Sequence, residues 1–598
     1  MTLGRTSGGV AAVVIALLCL SACTGNSNTN SSSGGTSSDT AETSRPADSS
    51  GPADSSGPAG QLSSVPGLDP SALEVMNKPA YAAGRWAISV RDIDSGEAII
   101  ALDQDKLVEP GSVVKTYSVG AAWQLFGPDQ KVVTPVKRIG EVVDGTLHGD
   151  LVLVGKGDLT MGGRTKPDGT VDFTDLDHND ANAIPGATLT PEDPLTGLDQ
   201  LAARVKASGI TAVSGDVIVD DRLWAPHQLE NGPVSPIIIN NNLIDFTTTA
   251  TRPGQTATTE MRPKVAPWTV NGEVKTVPAG EKTEIQVTSP AEGKVVLSGT
   301  IAADSRPVVN VYAFTDPATF ARTAFIEALG RAGVRVTANP VATNPAASLP
   351  ATTAVDRLPS VAELESLSLE QEATYTLKIS YNRGAETMIC LLAVAANSTD
   401  CSDGLPKAAE IWTKAGLDTK GAALIDGSGL TGNLITPANQ AQLETIMAKR
   451  PDADRWKATL PILGVDGSLA MVEPNGPAKG KAFAKTGTLG AGDLFNNRLR
   501  LPTKALGGYI DTKNGRHFAF AIVASNSVFD DISGVFAAND DVGRPSPSSS
   551  RRTDVGRTWS DARLRKAPTS TSKSSVIIET WYVHSDVTHI GELHPVGY

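Results

Sequence analysis

A strand-like run cannot continue through Pro110-Gly111, and the residues after that break recur at helical spacing: Val114, Tyr117, Ala121 and Leu125. The chain must therefore turn from strand into helix here, and 113–126 reads as an amphipathic helix. That turn sets Ser112 and Lys115 three residues apart at the helix start, where positions i and i+3 share a face. A serine hydroxyl becomes a nucleophile only when a base takes its proton. A lysine can be that base where burial or neighbouring positive charge lowers its pKa. The pair alone is weak evidence, because the same spacing describes a helix cap and a surface lysine. The chain repeats it at Ser570 and Lys573, in a Ser/Thr-rich stretch with no apolar pattern around it.

At 598 residues the chain is too long for one compact core, and about two to four domains are expected. A hydrophobic content of 40% with 20% charged residues is that of a soluble globular protein, and a net charge of -13 argues against a nucleic-acid partner. The first 23 residues read as an export signal: Arg5, an apolar run from Val10 to Leu20 too short to span a bilayer, then Leu20-Ser21-Ala22-Cys23. The last four resemble a bacterial lipobox, which implies cleavage before Cys23, acylation of its sulfur and a lipid anchor on the membrane. Residues 24–66 are Ser, Gly, Thr, Asn, Pro and Asp, the composition of a disordered tether. In an oxidising compartment the two cysteines of the body, Cys390 and Cys401, are expected to form a disulfide.

The folded part begins near Val65 with a hairpin, Trp86, Ile88 and Val90 alternating before the turn Asp94-Ser95-Gly96 and the apolar run 98–102. Short strands are expected over 132–159. From 160 to 345 the pattern changes to Asp/Gly loops, a helical piece at 198–207, a strand at 213–219, a Thr/Val-rich all-β stretch at about 246–312 and a helix at 316–333. This region reads as accessory domains inserted into a discontinuous host domain of 67–159 and 346–543. In the second part of the host, helical spacing at 361–372, 384–396, 403–415 and 437–449 precedes strands at 482–489, 505–510 and 517–524. A sheet carrying helices on its faces, an α/β (α+β) layered domain, is the simplest solution. After Gly543 the sequence turns basic and low in complexity. The spacing of His584, His589 and His594 does not return to one helix face, so no metal site is expected there.

Two further motifs give the serine–lysine pair company. Ser380-Tyr381-Asn382 stands where a strand-like run meets a helix, and residues two apart in extended or turn backbone face the same way. Lys485-Thr486-Gly487 lies on the strand 481–489, where a glycine admits another backbone close by, as in peptide addition to a sheet edge.

Ser-x-x-Lys, Ser-x-Asn and Lys-Thr-Gly in this order resemble the active-site signature of the penicillin-recognising serine acyltransferases. The segments Asp426-Gly427-Ser428-Gly429-Leu430, Leu460 to Gly467 and Ala484 to Leu489, with the long insertion, narrow the resemblance to peptidase S13. These are the class C low-molecular-mass penicillin-binding proteins, D-alanyl-D-alanine carboxypeptidases and endopeptidases. The resemblance runs from about Trp86 to Gly543 and implies a serine β-lactamase/transpeptidase-like fold. It implies peptidoglycan stem peptides as substrate, β-lactam antibiotics as acylating ligands, an extracytoplasmic location and no metal or organic cofactor.

The resemblance also implies roles. Ser112 attacks the carbonyl between two D-alanines and Lys115 takes its proton. Ser380 relays a proton to the leaving amine, and Asn382 holds the substrate's side-chain amide and Lys115. Lys485 binds the terminal carboxylate with Thr486 and Thr488, and Gly487 leaves room for the approaching peptide. The amides of Ser112 and Thr488 form the oxyanion hole. A β-lactamase shares the three motifs, and a non-catalytic wall-binding scaffold is the reading from a different class. The family continues after Asp540-Asp541-Val542-Gly543 with a helix packed on the sheet, whereas Arg544-Pro545-Ser546-Pro547 follows here, so 544–598 reads as foreign to the fold.

Overall fold

A computed structural model describes Leu62 and residues 64–543, apart from 230, 231 and 514 and the side chain of Ile532. The export signal with Cys23, most of the tether, and the tail with Ser570, Lys573 and its three histidines lie outside the described residues.

The first hairpin, Arg85–Asp92 with Ala98–Leu102, does not stand alone. It completes a five-stranded antiparallel sheet whose other members come from the far end of the chain, in the order Ala482–Asp493, Arg498–Asp511, His517–Phe529, Arg85–Asp92, Ala98–Leu102. Every residue from Arg85 to Asp92 pairs with one from Ser525 back to Phe518, so the sheet can form only once the two ends of the chain have met. Alternation divides the strand residues between two cores. Trp86, Ile88, Val90, Phe518, Phe520 and Ile522 face one side, where Leu68, Met76 and Val542 cover them. Ala87, Ala505, Tyr509 and Val523 face the other, under a helical layer built around Trp123, Trp412 and Trp456.

The helical layer comprises Lys115–Phe126, Leu369–Lys378, Asn382–Ala395, Gly404–Lys414, Pro437–Ala448 and Ala453–Thr459. Helical spacing over 361–372 misreads its first part. Ser360–Glu365 is a strand, because Ala362 and Leu364 point inward with period two, and it pairs with Val133–Val143. The helix starts only at Leu369.

The covering layer on the opposite face includes a helix, Ile532–Gly543, that the sequence reading did not contain. Its Ala538 and Val542 are buried against the sheet. Asp541 accepts hydrogen bonds from Lys78 Nζ at 2.5 Å and the Tyr81 hydroxyl at 2.9 Å, tying this helix to the first folded residues.

A second, six-stranded sheet is assembled from Val133–Val143, Thr146–Val154, Ala212–Val213, Val217–Asp220, Arg335–Val336 and Ser360–Glu365. It thus hydrogen-bonds strands from both sides of residues 159 and 345. Helices Thr196–Ala207 and Pro317–Arg331 pack on it. Arg322, fully buried, holds this layer by donating to Asp216 and to the carbonyls of Val217, Asn339, Pro340 and Ala342. Between Leu243 and Ala313 the regular elements are six strands in two three-stranded sheets.

Candidate active site

The break at Pro110-Gly111 is resolved by a 3-10 turn, Gly111–Val114, that runs directly into the helix Lys115–Phe126. Gly111 takes φ +53°, a region open to glycine at little cost. A β-carbon there would stand 2.8 Å from the Thr488 amide nitrogen. The loop is clasped from two further sides, since a β-carbon on Gly429 would fall 2.0 Å from the Gly111 carbonyl oxygen and one on Gly487 would fall 2.0 Å from that of Pro110. Three backbones therefore meet at Ser112.

Lys115 is completely buried, and its Nζ lies 2.8 Å from Ser112 Oγ, 2.6 Å from Asn382 Oδ1 and 2.7 Å from the Ser428 carbonyl oxygen. As an ammonium it donates to all three. As a neutral amine it still donates to Asn382 and Ser428, and its lone pair faces the Ser112 hydroxyl. Burial lowers its pKa to about 7, against the pull of Asp180, Asp426 and Glu386. The two fixed acceptors aim the amine without requiring it to be charged.

Ser380 sits in the bend between helices Leu369–Lys378 and Asn382–Ala395 with φ +62°, a left-handed conformation that is costly for a residue with a β-carbon. The bend sends Ser380 and Asn382 to different lysines. Asn382 meets Lys115, and Ser380 Oγ meets Lys485 Nζ at 2.9 Å. Lys485 is also fully buried and donates to the Thr486 carbonyl at 2.8 Å. Its pKa is held well below the usual lysine range, first by burial, then by the like charges of Lys115 and Lys504.

Lys485, Thr486, Gly487 and Thr488 lie on the edge strand Ala482–Asp493, which pairs within the sheet only with Arg498–Asp511. The segment Pro461–Leu463 hydrogen-bonds its outer side as far as Ala484, so cover gives way where Lys485 begins. Thr486 Oγ1 is 2.8 Å from Ser468 Oγ, and Thr488 Oγ1 accepts from Lys504 Nζ at 2.6 Å.

The seven motif residues thus converge on one cleft, with Gly487 as their close-packed spacer. Cys390 and Cys401 are joined by a disulfide that ties the Asn382 helix to the turn opening the next one, away from the lysines.

Several participants were not legible as site residues. The Ser428 carbonyl is presented by a turn in which Asp426 Oδ1 accepts from the amides of Ser428 and Gly429 at 2.9 and 2.6 Å. The Asp-Gly-Ser-Gly run signals such a turn, but nothing in it says which carbonyl meets the lysine. Lys504 comes from the neighbouring strand. Asp180 comes from the inserted region and lines a small recess with Asn179, Tyr381, Asn382 and Arg383.

Known proteins are similar to this chain in sequence and in structure. A D-alanyl-D-alanine carboxypeptidase of Actinomadura sp. (strain R39) is 27% identical over 481 residues, covering 75% of this chain and 79% of its own length. The D-alanyl-D-alanine carboxypeptidase DacB of Haemophilus influenzae is 23% identical over 437 residues, 69% of this chain and 83% of its own. The crystal structure of penicillin-binding protein 4 (dacB) from Haemophilus influenzae superposes with a TM-score of 0.57 at 20% identity, over 77% of this chain and 94% of that one. The match is to a shared mixed α/β, transpeptidase-like fold. With residues 71–538 matching the family model, the chain belongs to the D-Ala-D-Ala carboxypeptidase 3 (S13) family, whose members are serine carboxypeptidases.

Proposed function

We propose that this protein is a serine D-Ala-D-Ala carboxypeptidase and endopeptidase that processes peptidoglycan stem peptides through an acyl-enzyme on Ser112 and is acylated at the same residue by penicillins. The observation that carries the reading is Lys115 Nζ held 2.8 Å from Ser112 Oγ by two acceptors that leave its lone pair free for the serine proton. An extended substrate adds to the open edge at Lys485–Thr488, its terminal carboxylate beside Lys485 and the hydroxyls of Thr486 and Thr488.

Ser112 Oγ attacks the penultimate carbonyl carbon while its proton passes to Lys115 Nζ. The oxyanion lies between the amides of Ser112 and Thr488, and such a preorganised donor contributes about 3 kcal/mol in the transition state. Collapse breaks the C–N bond, and the proton that Lys115 received passes through Ser380, which is bonded to Lys485, to the leaving amine, so Lys115 is neutral again. Water then attacks the ester and gives a proton to the neutral Lys115, which passes it to Ser112 Oγ as the ester C–O bond breaks. The family places this chemistry outside the cytoplasm, and Leu20-Ser21-Ala22-Cys23 supports a lipid anchor there. We assign an accessory layer to 133–365, because the second sheet joins strands drawn from both ends of that span.

The test is the intact mass of the protein after brief exposure to a labelled penicillin, with Ser112→Ala alongside. A one-to-one adduct present in the native protein and absent from the variant is expected, followed by D-alanine release from a stem-peptide substrate. Rapid drug hydrolysis without a lasting adduct, or no reaction from folded protein, would overturn the reading.

A further inference from the structure

The loop 461–469, which lies along the outer side of the edge strand Ala482–Asp493, has no part in the mechanism above, yet it is fastened along its length. The Ala484 amide donates to the Pro461 carbonyl and the Leu463 amide to that of Ala482, both at 2.9 Å. Asp466 accepts from Lys378 Nζ at 2.7 Å on each oxygen and from the Ile462 amide at 2.8 Å, which ties the loop to the residue two before Ser380. The Gly467 amide donates to Asp175 of the inserted region at 2.8 Å. Gly467 takes φ +60°, and a β-carbon there would stand 2.7 Å from the Lys378 carbonyl oxygen.

These contacts fix the 3-10 turn Gly467–Leu469, and its middle residue, Ser468, sets its hydroxyl 2.8 Å from Thr486 Oγ1. A threonine hydroxyl has one proton to donate. If Thr486 gives that proton to Ser468, only oxygen lone pairs face an arriving carboxylate, and they repel it. If Ser468 is the donor, the Thr486 proton is left for the carboxylate. The next hydroxyl on this face of the strand has the second arrangement. Lys504 Nζ lies 2.6 Å from Thr488 Oγ1, and an ammonium can only donate, so the Thr488 proton is left for another acceptor.

Resting on the carboxylate site proposed above, we propose that Ser468 is a positioning residue that donates to Thr486 Oγ1 and so presents the Thr486 proton to the terminal carboxylate of the peptide. Ser468 and Thr486 then form a chain of hydrogen bonds ending on a charged acceptor, in which each link polarises the next. The loop thereby favours substrates with a free terminal carboxylate over those in which it is blocked.

The experiment is the second-order rate of acylation, read as intact mass against time, with benzylpenicillin and with its methyl ester, which keeps the reacting lactam but carries no carboxylate. Ser468→Ala is expected to slow the free acid about tenfold and the ester less than about twofold, because only the carboxylate accepts a charge-assisted bond. The acid-to-ester ratio therefore falls about fivefold or more. Ser468→Thr keeps the hydroxyl and restores the native ratio. Ser468→Cys, similar in size but with a weak thiol donor, gives the same fall should the alanine variant fail to fold. In a Thr486→Val background, Ser468→Ala has no further effect on the free acid, because the hydroxyl it serves is gone. An acid-to-ester ratio equal to the native one, or a full loss from Ser468→Ala on top of Thr486→Val, would overturn the proposal and leave Ser468 a structural part of the loop. Failure of the native protein to form an adduct with the free acid would instead overturn the mechanism on which the proposal rests.

Discussion

Individual side chains divide into those whose chemistry can be named from type and spacing and those defined by what surrounds them. Ser112 and Lys115 are of the first kind, because a spacing of three through a helical turn lets hydroxyl and amine meet. Glu372 is of the second. It looks like a solvated helix-start glutamate, yet it is buried, with Oε1 accepting a 3.3 Å bond from the Leu159 amide. Burial pushes its pKa well above the carboxylate range, and the nearby charge of Asp158 pushes the same way. A carboxyl whose folded pKa is raised stabilises the fold fully below its unfolded pKa, near 4.5, and this contribution is lost as pH rises through the folded value. Glu372→Gln is therefore expected to leave stability nearly unchanged at pH 4 and to raise it by about 2 kcal/mol at pH 8. Urea unfolding at the two pH values checks this, and an equal change at both would contradict it.

Among the elements, the edge strand Ala482–Asp493 shows how backbone approach governs chemistry. Lys-Thr-Gly marks it in the sequence, but the reason for the glycine appears only with Pro110 against it. A β-carbon at Gly487 would stand 2.0 Å from the Pro110 carbonyl oxygen and must push strand and loop apart. Gly487→Ala is expected to cost about 1–3 kcal/mol of stability by overpacking. It should also slow penicillin acylation by about 10²-fold or more, because the Thr488 amide moves away from Ser112. Stopped-flow acylation beside thermal unfolding separates the two effects, and a slower melt with native acylation would show that the close approach is structural only. The strand Ser360–Glu365 teaches a related lesson. Val361 and Leu364 fit helical spacing, yet partnership with Thr134–Lys137 selects the period-two pattern of Ala362 and Leu364.

For the molecule as a whole, attachment and assembly are separate questions. The proposed lipid attachment rests on a short local signal, so Cys23→Ala is expected to move the protein from the membrane fraction to the soluble extracytoplasmic fraction with penicillin acylation unchanged. Fractionation with a fluorescent penicillin reads both, and retention in the membrane would argue against lipidation. Assembly is the opposite case, for residues 85–92 pair with residues 518–525 across more than four hundred intervening positions. Local order was legible: most helices and strands of the catalytic layer and the pairing of Cys390 with Cys401 follow from spacing and residue type, and the seven motif residues stood out through their resemblance to a family signature. These depend on interactions within a few residues or on short motifs that can be read from the sequence. The contribution of Ser428 through its carbonyl, the helix Ile532–Gly543 as a cover and the arrival of Asp180 in the cleft were not legible. Each is a meeting of segments far apart in sequence, and no local pattern encodes a distance that exists only after the chain has packed.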